Sequence, residues 1–394
     1  MTCPATTPSV ELGAIIPLSE LRKQGLCEFR YKDEVFLSPG DVAWCDILFI
    51  VRGTTSQSVW AARWAKKHER IVLGYWDDDL LGIPDYSSAY RYYANSKVRA
   101  NIDALFRLAD AFLSPNSKLA AKLSVLHGKE VRLLPGVHGT ERFEPPKKRS
   151  LQPPTVGYSG GPDHIRILNS FVGPAIGEVA QTGASFRLHI VGPKPDFLAG
   201  LPVETRYTPS IPDYHDYLAF ASKLEWDIGL APQRETEFTT YKFYNKLLEY
   251  AHIGCAGIYT KIEPYVGVIE DGVTGLLVPN DVAAWRDAIL RLLKDPELRF
   301  KIASNAYEFA QTHHNRKVVA ERYKETLAPF LGYRAPAVGK LYLIASDLAG
   351  GPRRLWRIGM EYLKVYGFRY VLRRGPRYLF RLFSGKVTHF KPKA

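Results

Sequence analysis

Short apolar runs alternate with amphipathic stretches along most of the chain, and this alternation predicts strands separated by helices. The apolar runs predict buried strands at residues 12–16, 46–51, 70–76, 111–116, 131–136, 155–159, 185–192 and 226–232. Stretches with one apolar face predict helices at residues 17–25, 56–68, 90–109, 212–223, 281–293, 296–311 and 315–330. Strands that alternate with helices in this way form parallel sheets covered by helices.

A proline-rich and charged segment divides this pattern into two halves. Residues 144–154, EPPKKRSLQPP, form the clearest linker in the chain. With 394 residues there is room for two domains that each bury a core. We therefore expect domains at residues 1–150 and 151–330, followed by a tail at residues 331–394.

The most informative motif covers residues 239–280, which predict a helix, a strand, a short helix and a further strand. In a helix over residues 239–253, Lys242, Lys246 and Glu249 lie on one face. The helix dipole disfavours a cation near the helix start by up to about 1 kcal/mol, so the position of Lys242 suggests a bound anion such as a phosphate. A solvated face with a Lys246–Glu249 ion pair is the alternative interpretation.

The run NKLLEYAHIG, followed by an apolar strand and then IEDGVTGLLVPN, resembles the donor-binding half of glycosyltransferase family 4. These are retaining enzymes of the GT-B fold. The resemblance implies that Glu249 holds the ribose hydroxyls of a nucleotide-sugar and that nearby cations hold its diphosphate. The family usually has a second Glu where this chain has Tyr241, so the resemblance is incomplete at the donor sugar.

A glycine-rich turn follows the first predicted strand of the second half, in TVGYSGGPDHIRI. Backbone N–H groups at Gly160 and Gly161, and a helix beginning near Asp163, suit a phosphate. The spacing G-x-x-G-G differs from the G-x-G-x-x-G of dinucleotide-binding proteins, which disfavours NAD. His164 and Arg166 lie beside the turn, and Arg166 is the nearest substitute for a basic residue that the resemblance implies here.

Three consecutive carboxylates, Asp77, Asp78 and Asp79, follow a predicted strand of the first half. Ligands bind at the carboxyl ends of strands in open parallel sheets, although a solvated capping turn is an equally simple interpretation. Similar runs occur in family 4 enzymes that build bacterial polysaccharides, which implies that at least one of these three aspartates faces the cleft between the domains. Because the first half has no glycine-rich phosphate loop, we expect it to bind the acceptor.

The charge of the chain is concentrated at its end. Residues 350–394 contain 12 Lys and Arg and one acid, whereas the rest of the chain has a net charge of +2. Amphipathic basic segments with aromatic residues suit an anionic membrane surface, and packing on protein is the alternative. The near-neutral body disfavours a nucleic-acid binder.

The four cysteines have neither a C-x-x-C pair nor metal-ligand spacing, which predicts free thiols in the cytoplasm. The first ten residues lack the basic start and apolar core expected of a leader peptide, and no later apolar run is long enough to span a membrane. The protein is therefore expected to be cytoplasmic or peripheral on the inner face of the membrane.

The resemblance implies an α/β protein with the GT-B fold, in which two Rossmann-like domains with parallel sheets face each other and a basic helical tail follows. It implies transfer of a sugar, with retention, from a nucleotide-sugar to a glycan or lipid-linked acceptor in bacterial-type polysaccharide or glycoconjugate biosynthesis, with no other cofactor and no metal. A nucleotide-sugar epimerase on the same fold and a non-catalytic glycan-binding or assembly subunit are the alternatives. The candidate catalytic residues are Lys242, Lys246, Asp78 and Asp79, and the candidate donor-binding residues are Glu249, Gly160, Gly161, His164, Arg166 and Tyr241.

Overall fold

Two separate six-stranded parallel sheets form the framework of the protein. The computed structural model describes residues 1–3, 8–139, 144–148 and 153–346, together with Met360 and Leu363. The described residues up to 135 and from 320 onwards form one compact unit, and the described residues between 136 and 319 form the other. The predicted α/β fold class with two parallel-sheet domains is confirmed.

The first unit contains a sheet with the strand order β2-β1-β3-β4-β5-β6. Its strands are β1 (Thr2–Cys3), β2 (Lys32–Asp33), β3 (Ile47–Val51), β4 (Ile71–Tyr75), β5 (Ala111–Ser114) and β6 (Val131–Leu133). Its helices are α1 (Pro8–Val10), α2 (Ile16–Lys23), α3 (Pro39–Trp44), α4 (Ser56–Lys67), α5 (Tyr90–Tyr93), α6 (Ser96–Leu108) and α7 (Ser117–His127). Polar caps begin several of them; for example, the Asn116 side chain accepts a hydrogen bond from the Leu119 N–H group at 2.9 Å.

The second unit contains a sheet with the strand order β12-β11-β10-β7-β8-β9. Its strands are β7 (Thr155–Ser159), β8 (Arg187–Val191), β9 (Glu204–Thr208), β10 (Ile228–Ala231), β11 (Ala256–Thr260) and β12 (Leu276–Val278). Its helices are α8 (Ile165–Ile167), α9 (Gly173–Gln181), α10 (Tyr214–Ala221), α11 (Glu237–Thr240), α12 (Asn245–Ile253), α13 (Val282–Lys294) and α14 (Pro296–His314). Helix α15 (Arg316–Leu327) begins in this unit and continues in the first.

Apolar side chains cover the second sheet in two clusters. Ile176 and Trp285 belong to one, whereas Trp226, Leu247 and Tyr250 belong to the other. Because strands buried on both faces need apolar residues at nearly every position, these runs were readable in the sequence.

The division between the units lies at residues 135 and 320, earlier than the predicted boundaries at 150 and 330, which stay predictions. Contacts within each unit explain why the division falls at these two places. The His138 N–H group donates to the His314 carbonyl at 3.1 Å within the second unit. The Tyr323 hydroxyl donates to the Gly13 carbonyl at 2.8 Å within the first.

Two predicted elements of the first unit are wrong. Residues 12–16 are helical instead of extended, because Glu11–Ile15 form a π-helical turn that leads directly into α2. The predicted helix over residues 90–109 is divided into α5 and α6, and Asn95 caps α6 by accepting from the Lys97 N–H group at 2.9 Å. Of the predicted tail at residues 331–394, the structure describes residues 331–346, Met360 and Leu363, and the rest of its basic segment at residues 350–394 lies outside the described residues.

Candidate functional site

Four polar side chains meet at the carboxyl end of β7 in the second unit. The Lys246 ammonium group lies 2.8 Å from both carboxylate oxygens of Glu249 and donates to the Ser159 hydroxyl at 2.6 Å. The Tyr217 hydroxyl donates to the Glu249 Oε1 atom and lies 3.0 Å from the Ser159 hydroxyl oxygen. Lys246 and Glu249 keep 25% and 17% of their side-chain surface, so a ligand from solvent can reach them.

The elements that carry these residues explain why they converge. Ser159 is the last residue of β7, and α12 leads from the neighbouring strand β10 to β11. Helices that connect parallel strands begin at the carboxyl edge of the sheet, where ligands bind in open α/β sheets. Lys246 and Glu249 lie three residues apart on the first turns of α12, so both side chains reach this edge.

The predicted single helix over residues 239–253 is wrong. It is interrupted between α11 and α12 by residues 241–244. The Phe243 ring occupies the space beside Gly136, where an added Cβ atom would lie 2.6 Å from the ring. The Tyr244 hydroxyl lies 3.1 Å from the Nε2 atom of His314. These contacts hold two aromatic side chains in positions that a continuous helix would not give them.

Lys242 and Tyr241 therefore lie in the interruption and not on α12. The Lys242 ammonium group lies 4.8 Å from the centre of the Phe238 ring, within the range of a cation–π contact. Of the three residues predicted to share one helix face, only Lys246 and Glu249 lie on the same helix. Tyr241 is half-buried at the end of α11.

The glycine-rich turn follows β7 directly, as expected. The Gly160 N–H group donates to the Val191 carbonyl at 3.1 Å, so it is already engaged within the sheet. A side chain at Gly160 would collide with the Tyr158 hydroxyl, since an added Cβ atom would lie 2.0 Å from it. Gly161 is exposed, and its carbonyl accepts from the His164 N–H group at 3.2 Å.

The pKa of His164, which lies next to this turn, is lowered by its surroundings. Burial and, to a smaller extent, the cations Lys242 and Lys246 together lower the pKa of His164 to about 4. Both lysines thus act on the residue that follows the turn. Arg166 is exposed on the short helix α8. The second unit therefore presents a locally positive surface beside an exposed glycine.

The three aspartates of the first unit have different environments. Arg52, at the end of β3, contacts Asp77 and Asp78 at 2.5 Å each, and both carboxylates remain partly accessible. Asp79 is buried: Lys122 donates to its carboxylate at 2.7 Å and the Gly82 N–H group at 3.2 Å. Asp79, one of the candidate catalytic residues, is thus turned inwards and holds its own loop, while Asp77 and Asp78 line the carboxyl edge of the first sheet.

Arg52 itself was not identified from the sequence. Burial alone would lower the pKa of Arg52, but the two aspartates outweigh that effect and the pKa is raised. The residue stays charged and balances one of the neighbouring carboxylates. Its backbone has a φ angle of 49°, which is uncommon for a residue other than glycine and is frequent at functional sites.

Ser159 and Tyr217 were also missed by sequence reasoning. Ser159 had a weak signal, since it stands between a strand and a glycine turn. Tyr217 had none, because it lies on α10, 32 residues before Glu249 in the chain. Burial and the Glu249 carboxylate both raise the pKa of Tyr217, so its hydroxyl stays protonated and donates.

Among the described residues, no group of three or more His, Cys, Asp or Glu side chains is placed to hold a metal ion. All four cysteines are free thiols, as predicted. None of the helices that the structure describes is long and apolar enough to cross a membrane.

Comparison with known proteins gives one family match, described as Glycosyl transferases group 1, over residues 154–295. No curated protein sequence matches the chain. Among solved structures, Anabaena HepE in complex with UDP and glucose is similar, with a TM-score of 0.58 and 14% identity over 84% of this chain and 100% of its own. Sucrose-phosphate synthase from Thermosynechococcus elongatus has a TM-score of 0.53 and 18% identity over 72% and 73% of the two chains.

A putative UDP-N-acetylglucosamine 2-epimerase from Listeria monocytogenes has a TM-score of 0.50 and 14% identity over 84% of this chain and 96% of its own. At such identities, structural likeness establishes the fold alone, which synthases and epimerases share. The family match indicates the activity, which the fold alone does not. It covers the strand, turn and helix that carry Ser159, Lys246 and Glu249. Residues 154–295 match the model of group 1 glycosyltransferases, and the protein is a glycosyltransferase of the GT-B fold class.

Proposed function

We propose that this protein transfers a sugar, with retention of anomeric configuration, from a nucleotide-sugar to a glycan or lipid-linked acceptor in polysaccharide or glycoconjugate biosynthesis. The observation that carries the proposal is the cluster of Lys246, Glu249, Ser159 and Tyr217 within the matched domain. It combines an acceptor for ribose hydroxyls with a cation for phosphate at the ligand-binding edge of the sheet. The UDP and glucose bound by the similarly folded HepE make a UDP-sugar the first donor to test.

Glu249 is the proposed ribose ligand. Its carboxylate accepts hydrogen bonds from Tyr217, Ser159 and Lys246. These neighbours fix the orientation of the carboxylate before a ligand arrives, which reduces the entropy lost on binding. Ribose hydroxyls are donors, so they complement the lone pairs that remain on this partly accessible carboxylate.

Lys246, Lys242 and the N–H group of Gly161 are the proposed diphosphate ligands. The two lysines already act together on His164, beside the turn that contains Gly161. When the bond from sugar to phosphate breaks, negative charge increases on the departing diphosphate, and fixed cations stabilise that change without a metal ion. His164 and Arg166 would then lie next to the phosphates, and Tyr241 near the donor sugar.

The first unit is proposed to bind the acceptor through Asp77 and Asp78, which Arg52 holds at the carboxyl edge of its sheet. A sugar hydroxyl donates readily to a carboxylate. Residues 350–394 are proposed to attach the protein to an anionic membrane surface on the cytoplasmic side, near a lipid-linked acceptor.

The test has two stages. A thermal-shift screen against UDP-, GDP-, ADP-, CMP- and dTDP-sugars identifies the donor, since a ligand that binds only the folded state stabilises it by mass action. Product analysis by NMR, with and without a glycan acceptor, then identifies the reaction. A glycosidic product that keeps the donor configuration supports the proposal. An epimerised nucleotide-sugar formed without acceptor would identify an epimerase, and failure to bind any nucleotide would indicate a non-catalytic subunit.

A further inference from the structure

The two oxygen atoms of the Glu249 carboxylate accept unequal numbers of hydrogen bonds. The Oε1 atom accepts from the Ser159 hydroxyl, from the Tyr217 hydroxyl and from the Lys246 ammonium group, the last at 2.8 Å. Among the described residues, only the Lys246 ammonium group contacts the Oε2 atom, also at 2.8 Å. Because a carboxylate oxygen offers about two lone pairs, Oε1 is fully engaged and about one acceptor position remains on Oε2.

A ribose ring needs more acceptor positions than this carboxylate has left. Its hydroxyl groups at C2 and C3 lie side by side, and both donate hydrogen bonds. One of them can donate to the remaining position on Oε2, whereas the other needs a position that a donor of the protein now occupies. If Glu249 binds both hydroxyls, one of its present partners must therefore leave the carboxylate.

Lys246 is the partner that can leave. Ser159 is the last residue of β7 and is only 2% exposed, so the sheet fixes its hydroxyl. The Tyr217 hydroxyl lies on a rigid ring that is held by α10. The Lys246 side chain, by contrast, keeps 25% of its surface in solvent and carries its ammonium group on a flexible stem. Its charge also acts on His164, so a diphosphate bound beside this residue would attract the same ammonium group.

Removal of Lys246 from the carboxylate has different consequences for different ligands. A nucleoside without phosphates displaces the ammonium group from Glu249 and gives it no new anion. A diphosphate without a nucleoside attracts Lys246 and leaves the carboxylate without its cation. When both parts are present, the diphosphate binds the ammonium group while the ribose hydroxyls bind the positions that Lys246 has left. The binding free energies of the two parts are therefore coupled, and each part strengthens the binding of the other.

We propose that the Lys246–Glu249 ion pair makes the donor site selective for intact nucleoside diphosphates and their sugars over free nucleosides. The two charged groups lie 2.8 Å apart, and only a ligand with both ribose hydroxyls and a diphosphate replaces both partners at once. Tyr217 and Ser159 keep the carboxylate in position while Lys246 changes partners. This inference rests on the proposed function, because it takes Glu249 as the ribose ligand and Lys246 as a diphosphate ligand, and it adds the coupling between them.

The test measures nucleoside affinity by isothermal titration calorimetry, with and without inorganic pyrophosphate. Uridine, guanosine and adenosine serve as probes because each carries a ribose without a phosphate. We expect pyrophosphate to lower the Kd of at least one of these nucleosides for the wild type by about tenfold, because it supplies an anion for Lys246. By reciprocity, that nucleoside should lower the Kd of pyrophosphate by the same factor.

Lys246→Met should gain nucleoside affinity, although it removes a binding residue. Without the ammonium group, the Oε2 atom of Glu249 is open to ribose, so the nucleoside Kd should fall by about tenfold and pyrophosphate should no longer change it. Tyr217→Phe is the matched control: it removes a donor from Glu249 but keeps the ion pair, so pyrophosphate should still strengthen nucleoside binding. Lys301→Met, at an exposed lysine on α14, should bind like the wild type.

Three results would overturn the inference: pyrophosphate that fails to strengthen nucleoside binding to the wild type, no gain of nucleoside affinity in Lys246→Met, or the same gain in Lys301→Met. The first measurement uses the wild type alone, so it decides the question even if circular dichroism shows that a variant has not folded. Sugar transfer combined with independent binding of nucleoside and pyrophosphate would refute the coupling and leave the proposed function in place. Failure of every nucleoside and every nucleotide to bind would refute both.

Discussion

The proposed roles of Lys246 and Glu249 predict different kinetic effects when each residue is replaced. Lys246→Met removes the ammonium group but keeps an unbranched side chain, and Glu249→Gln removes the charge of the carboxylate but keeps its shape. If Lys246 neutralises the departing diphosphate, its loss affects the transition state more than the bound donor. If Glu249 holds ribose, its loss affects donor binding in both states equally.

The structure sets the size of these effects. The Lys246 ammonium group has three contacts between 2.6 and 2.8 Å, all to groups that are themselves held in place. We expect transfer of one such charged hydrogen bond to the diphosphate to contribute about 1.5–3 kcal/mol. Its removal should therefore lower kcat by about 10- to 150-fold. Glu249→Gln should raise the donor KM by a similar factor and change kcat little.

The assay is initial-rate kinetics over a range of donor concentrations, combined with calorimetric titration of the free nucleoside diphosphate. Lys301→Met is the matched control, because Lys301 is an exposed lysine on α14 of the same unit. Wild-type kcat in Lys246→Met, or wild-type donor KM in Glu249→Gln, would refute the assignment of these residues. An equal loss of kcat in Lys301→Met would trace the effect to overall charge.

Three other predictions follow from single contacts. His164 has a lowered pKa of about 4 in the folded protein, so the unfolded state binds a proton first as the pH falls. The contribution of His164 to the free energy of unfolding is therefore complete above pH 6.5 and declines towards pH 4. Urea unfolding over this range should show a smaller decline in His164→Gln, and an equal decline would contradict the prediction. Asp79→Asn should lower the unfolding free energy by about 1–3 kcal/mol, because Lys122 loses a buried partner at 2.7 Å; unchanged urea unfolding would contradict this. Gly192→Ala should weaken donor binding as well as stability, since Gly192 has a φ angle of 125° and an added Cβ atom would lie 2.2 Å from the Gly160 carbonyl oxygen; wild-type donor affinity in a calorimetric titration would disprove it.

The sequence by itself determined the strands of both sheets except β1, β2 and β9, and most of the helices between them. Strands such as 47–51 and 256–260 are apolar at nearly every position, and a strand buried on both faces admits no other composition. The positions where helices begin also depend on neighbouring residues, because a capping side chain bonds to the backbone three residues later. Asp281, for example, accepts from the Ala284 N–H group at 2.9 Å. The pair of Lys246 and Glu249 was readable for the same reason, since residues three apart on a helix are neighbours.

Long-range contacts decided what the sequence did not. Residues 12–16 have the composition of a strand but form helix, because Gly13 lies directly against the Tyr75 ring and its carbonyl accepts from Tyr323, 310 residues away in the chain. The interruption before α12 similarly depends on the partners of Phe243 and Tyr244. Local propensity is weak compared with the burial of several large side chains, so such packing overrides it.

The candidate site shows the same division between local and long-range information. The sequence indicated Glu249, but it could not indicate Ser159 and Tyr217, which are 90 and 32 residues away and meet the carboxylate only after the sheet has formed. It also could not distinguish Asp79 from its two neighbours. Only the folded loop turns that carboxylate inwards to Lys122 and leaves Asp77 and Asp78 with Arg52 at the accessible edge, because consecutive residues in a turn point in different directions.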